Sequence, residues 1–119
     1  MAVKIKTPAG MIDIANDVIA TVVGGAATDN YGVVGMASRN PLKDGVNQIL
    51  GRDSFHQGVV IRQDNGIAVD VYIIVGYGTK ISAVSKSVQE KVKYNLEAML
   101  GVTANSVNIM VQGVRVLGD

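Results

Sequence analysis

The chain contains no cysteine, which removes disulfides, thiolate nucleophiles and zinc–thiolate centres together. A single histidine, His56, excludes a multi-histidine metal site within one chain. There is no tryptophan, one phenylalanine and only four tyrosines, few rings for bases to stack on. Net charge is also scarce. Eleven basic residues against ten acidic ones leave +1 at pH 7, too weak a field to gather nucleic acid or anionic lipid. No apolar run reaches the roughly 18–20 residues needed to cross a bilayer. The opening Met1-Ala-Val-Lys-Ile-Lys lacks the apolar stretch of a signal peptide.

What is present suits one α/β domain spanning residues 1–119. Of the 119 residues 48% are hydrophobic, and a chain of this length buries roughly two-thirds of its unfolded surface without staples. Val3, Ile5 and Thr7 alternate with Lys4 and Lys6, the pattern of a strand with one wet face. Pro8 and Gly10 punctuate it, and Met11–Ile14 can resume an extended strand. Asn16 reads as an N-cap with Asp17 beside the helix start, and Val18, Ile19, Val22, Val23 and Ala26 recur at helical spacing. That helix is small or apolar nearly all round, so burial is expected. Gly24 and Gly25 weaken it, and close approach of a neighbouring backbone is the expected compensation.

Asp29-Asn30-Tyr31-Gly32 forms a turn, followed by a short strand over Val33–Ala37. Pro41 suits the first position of a helix, with Leu42, Val46, Ile49 and Leu50 on one face and Gly51 at its end. Arg52–Gln57 reads as polar linkage, with His56 an exposed loop residue. Next come two β-branched runs flanking Asn65-Gly66, a strong hairpin signal. In the second run Ile67, Val69, Val71, Ile73 and Val75 share one face, and Ala68, Asp70, Tyr72 and Ile74 the other.

Ile81, Val84, Val88, Val92, Leu96, Met99 and Leu100 make the stripe of a long amphipathic helix. Lys86–Glu90 and Lys93–Glu97 stand at i,i+4 spacing away from the stripe. Gly101 is placed to end the helix. In the last strand, over Val107–Leu117, the apolar phase is odd at Val107, Ile109 and Val111 and even at Val114 and Val116. That slip predicts a β-bulge at Gln112-Gly113. The element order is β-α-β-α-β-β-α-β. The expected fold is an α/β (α+β) two-layer sandwich, a mixed sheet whose central hairpin, 58–75, packs on helix 81–100.

Signals for chemistry are few. Asp70 lies mid-strand on the mixed face, and a catalytic role would require a second acid beside it. Gly76-Tyr77-Gly78-Thr79-Lys80 joins a strand to a helix, a context in which helix N–H groups can hold an anion. It lacks the third glycine of a dinucleotide fingerprint and the Lys-Ser/Thr order of a P-loop. No Gly-x-x-Gly loop with basic flanks supports RNA binding. An anion-binding regulatory module using Gly76, Gly78, Thr79 and Lys80 is therefore the alternative reading.

The residues resemble the alkaline shock protein family, envelope stress response proteins of Gram-positive bacteria, in its YloU-like branch. The resemblance rests on Gly10-Met-Ile-Asp-Ile-Ala-Asn-Asp-Val-Ile-Ala, Gly32-Val-Val-Gly-Met36, Gly45 with Leu50-Gly51, and Gly58-Val. It continues through Val69-Asp-Val-Tyr-Ile-Ile-Val75, Val88-Gln89-Glu90-Lys-Val92 and Val107-Asn108-Ile109. Ile81-Ser82 departs from the proline that usually follows the isoleucine. The resemblance implies a non-enzymatic cytoplasmic protein that self-associates and gathers near the membrane through a membrane-anchored protein partner. It supplies no catalytic, cofactor or metal residues to carry over, and neither nucleic acid nor direct membrane insertion is expected. Asp70, Tyr72 and Ile74, or Val114 and Val116 beyond the phase slip, are the candidate contact residues.

Overall fold

The computed structural model describes residues 2–40, 49–63 and 66–116. Strands β1 (Ala2–Thr7) and β2 (Gly10–Ala15) form an antiparallel hairpin that, among the described residues, pairs with no other strand. The two N-terminal runs are thus folded back on each other. Val3 pairs with Ile14 and Ile5 with Ile12, which places these four on one face; Lys4, Lys6, Met11 and Asp13 occupy the other. Val3 enters the core, and Ile5 and Ile14 pack against it. Ile12, nearer the turn, is 50% exposed. The hairpin is rooted in the body and open at its tip.

Helix α1 (Asn16–Thr28) follows without a loop. Its cap position is Ala15, with no side-chain cap bond, so Asn16 is the first helical residue and not the expected cap. Ile19, Ala20, Val23, Gly24, Ala26 and Ala27 are buried, whereas Asp17, Val18, Thr21 and Gly25 face solvent. Burial is thus one-sided, narrower than the composition suggested. The two glycines differ. A Cβ on Gly24 would lie 2.3 Å from Phe55 Cδ2, while one on Gly25 would meet nothing within 4 Å. What approaches Gly24 is an aromatic side chain and not a backbone. That ring comes from a 3-10 helix over Arg52–Gly58, so the stretch read as polar linkage carries a core residue, Phe55, at 5% exposure.

β3 (Val33–Ala37) pairs antiparallel with a two-residue strand β4 (Ile49–Leu50), Met36 opposite Leu50 and Ala37 opposite Ile49. Ile49 and Leu50 are therefore extended, not the end of a helix, and Gly51 precedes the 3-10 turn instead of closing one. The remaining residues of that expected helix, 41–48, lie outside the described residues, as do Asp64 and Asn65 of the expected turn. The hairpin itself is present, β5 (Val59–Gln63) against β6 (Ile67–Gly76), with Gln63 opposite Ile67. Gly66 has φ 120°, a conformation that favours glycine. Asn105 secures the adjoining residue: its Oδ1 accepts from Ile67 N–H at 3.1 Å, and its own N–H donates to Ile67 O at 2.7 Å.

β6 is the central strand. β5 pairs with its first half and β3 with its second, both antiparallel. The last strand, β7 (Ser106–Arg115), runs parallel beside it from Ala68 to Gly76. Between them lies helix α2 (Ile81–Asn95), extended by a wider turn over Leu96–Leu100. Gly101 at φ 68° ends it; Gly101 N–H donates to Glu97 O and Val102 N–H to Leu96 O, the paired bonds of a left-handed cap. Val84, Val88, Val92 and Leu96 are the buried stripe, while Ile81 and Met99 are 40% and 65% exposed.

Helices α1 and α2 cover one face of the sheet, giving the α+β two-layer sandwich. α1 crosses β3 and β5, and α2 lies beside α1 and over β7, so the central hairpin is covered largely by α1. Val69, Val71, Ile73 and Val75 of β6 are each 0% exposed against this layer, and each such side chain contributes about 1.5–3 kcal/mol relative to exposure. The phase slip in β7 is the expected bulge. Ile73 pairs with Val111 and Ile74 with Gly113, which leaves Gln112 as the extra residue and returns Val114 to register with Val75.

Candidate functional site

The sheet's second face, away from the helices, carries a polar cluster at its centre. Asp70 on β6 lies opposite Val60 of β5 and Asn108 of β7. Its Oδ1 accepts from Arg62 Nη2 at 2.7 Å and from Asn108 Nδ2 at 2.8 Å. Its side chain is 13% exposed and that of Arg62 53%. The carboxylate therefore meets a cation and an amide, and no second acid joins it through these bonds. The arrangement ties three strands together across two ladders. Arg62 was within reach of sequence reasoning, because the hairpin register puts it on the even-numbered face with Asp70. Asn108 was not, since a parallel register across a helix leaves no local mark.

The candidate contact residues are not gathered into one patch. Ile74 is only 2% exposed, so it offers little to a partner, and Tyr72 beside it is half-buried. Val114 and Val116 are 50% and 64% exposed, but Val114 is in register with Val75 and thus on the helix side of the sheet. Near that end of the sheet Tyr77 N–H donates to Arg115 O at 2.9 Å, and Tyr77 is 76% exposed. Met11 and Ile12, at 56% and 50% exposure, stand separately toward the tip of the β1–β2 hairpin, one on each of its faces; alternation alone did not single them out.

The Gly76–Lys80 turn borders a cleft of about 400 Å³, lined by Gly78, Thr79 and Lys80 together with Asn30, Tyr31 and Ser87. Most of its polar groups are satisfied internally. Thr79 Oγ1 donates to Gly76 O at 2.7 Å, Ser87 Oγ to Asn30 Oδ1 at 2.7 Å, and Asn30 Nδ2 to Tyr31 O at 2.9 Å. Lys80, at the cap position of α2, makes no side-chain cap bond. One turn beyond Ser87 along α2, Lys91 Nζ donates to Asp29 Oδ2 at 2.8 Å. That hydrogen bond, followed by the charge of Lys91, holds the Asp29 carboxyl below the usual carboxylate range.

A family model for alkaline shock protein 23, described by a cell envelope-related function, matches residues 4–116. The chain belongs to that family. It is 55% identical over 98% of its length to the uncharacterized protein YloU of Bacillus subtilis, of which it covers 98%. It is 52% identical over its whole length to the uncharacterized protein Spy1614 of Streptococcus pyogenes, covering 99% of it. The uncharacterized protein YqhY of B. subtilis is more distant, 34% identical over 92% of this chain and 80% of its own. No solved structure matches the chain. The family membership agrees with the resemblance drawn from the residues, including its YloU-like character. Among the described residues no helix is long and apolar enough to cross a membrane.

Proposed function

We propose that this family member is a non-enzymatic interaction module of the cell envelope, a small scaffold that self-associates and is brought near the membrane by a protein partner. The observation that carries this reading is the position of its exposed apolar side chains. Met11 and Ile12 stand at a hairpin tip, and Tyr77, Val114 and Val116 are exposed on or beside the last turn of the sheet. Large apolar side chains exposed outside the core are suited to protein contact. Asp70, the acid best placed for chemistry, is instead held by Arg62 and Asn108 as a tie between strands.

Light scattering behind size exclusion at high micromolar concentration tests self-association, and a strict monomer would overturn that element. Affinity capture from the membrane fraction of the native cell tests the partner. A membrane-anchored protein retained by wild type and lost on Met11→Ser/Ile12→Ser is the expected result.

A further inference from the structure

Strand β7 is the long open edge of the sheet. It spans ten residues, Ser106–Arg115, and among the described residues no strand pairs with its outer side. Edge strands usually carry lysine, proline or inward-pointing charge that discourages further pairing. Ser106-Val-Asn-Ile-Met-Val111 has none of these, and the bulge at Gln112 lies beyond it. Gln89 Nε2 donates to Val107 O at 2.8 Å, covering one carbonyl; Ile109, Met110 and Val111 are partly exposed.

The same stretch is self-complementary. Up to Val111 it pairs regularly with β6, before the bulge. Laid antiparallel on its own copy about Ile109, Val107 falls opposite Val111 and Ile109 opposite Ile109, all on the helix side. On the other face Asn108 falls opposite Met110. Apolar meets apolar on the covered face, and no charged residue opposes a like charge. The α2 residues bordering this edge alternate in sign, Lys86, Glu90 and Lys93, so charge does not accumulate across the axis. A contact of this kind is isologous and closes at two copies.

We infer that two copies of this chain pair through β7, antiparallel about Ile109, joining their sheets into one. This rests on the self-association reading and names its surface. The test uses the full chain with Ile109→Lys and Ile109→Glu, followed by sedimentation equilibrium of each alone and of their equimolar mixture. Wild type is expected to be a dimer. Each variant alone sets like charges opposite each other at the axis and weakens association at least about tenfold, and the mixture restores a one-to-one heterodimer. Thermal unfolding of each variant confirms that the fold is retained, and restored pairing on mixing is a result that damage to the fold does not produce. If both variants dimerise like wild type, β7 pairing is overturned while self-association stands, through another surface such as Met11 and Ile12. If folded variants stay monomeric when mixed, β7 pairing is likewise overturned. A wild-type monomer overturns both readings.

Discussion

The antiparallel hairpins β1–β2 and β5–β6 have different fates. In β5–β6 the second strand gains further partners, β3 and β7, and four of its side chains reach 0% exposure. In β1–β2 six residue pairs are made and, among the described residues, no further strand joins them. A two-stranded ribbon is marginal by itself in water, so β1–β2 depends on Val3, Ile5 and Ile14 at its root. Local pairing creates the ribbon; neighbours make it rigid.

Hydrogen exchange draws the contrast most sharply. Amides of Val69–Val75 are expected to exchange only with global opening, and those of Lys4–Ile12 by local opening, at least about a hundredfold faster; equal protection in the two hairpins would break the comparison. Ile73→Ala, which opens a cavity under β6, is expected to cost about 3 kcal/mol in chemical denaturation. Asp70→Ala leaves Asn108 and Arg62 without their shared acceptor and is expected to cost about 1–2 kcal/mol, most of it as faster exchange where β5, β6 and β7 meet. At the free tip, Ile12→Ala is expected to stay within about 0.5 kcal/mol of wild type; a larger loss would mean that the tip is seated more firmly than its exposure indicates.

The smallest effect concerns neither hairpin. Because the Asp29 carboxyl is held low by Lys91, the pair's contribution is present above the ordinary carboxylate pKa and lost as pH falls through the lowered value. Lys91→Met is expected to move the Asp29 titration upward, as read by NMR, with no change in hairpin exchange.

The same contrast explains what the sequence revealed. The β5–β6 hairpin was legible from alternation on both sides of Asn65-Gly66, the helix end from Gly101 and the bulge from the shift between Val111 and Val114. Each signal lies within a few residues of its effect. The β1–β2 turn was less clear, because Pro8 and Gly10 interrupt a strand whether or not it folds back. Phe55 was hidden among polar neighbours, and its role depends on a notch at Gly24 that lies far away in the chain. The division of the candidate residues between two faces depended on a parallel register, which pairs Val75 with Val114 across an intervening helix.

That parallel pair also has a consequence for the order of events during synthesis. The central strand receives β5 and β3 from residues already made, but its last neighbour appears only after α2 has been translated. Until Arg115 has left the ribosome, the β7 side of β6 stays exposed, and the apolar face of α2 lacks the strand it rests on. Pairing over such a sequence separation is slow compared with hairpin closure. The nascent chain therefore passes through a stage in which its most hydrophobic strand is half covered, and mistranslation or early termination near residue 105 would leave it there.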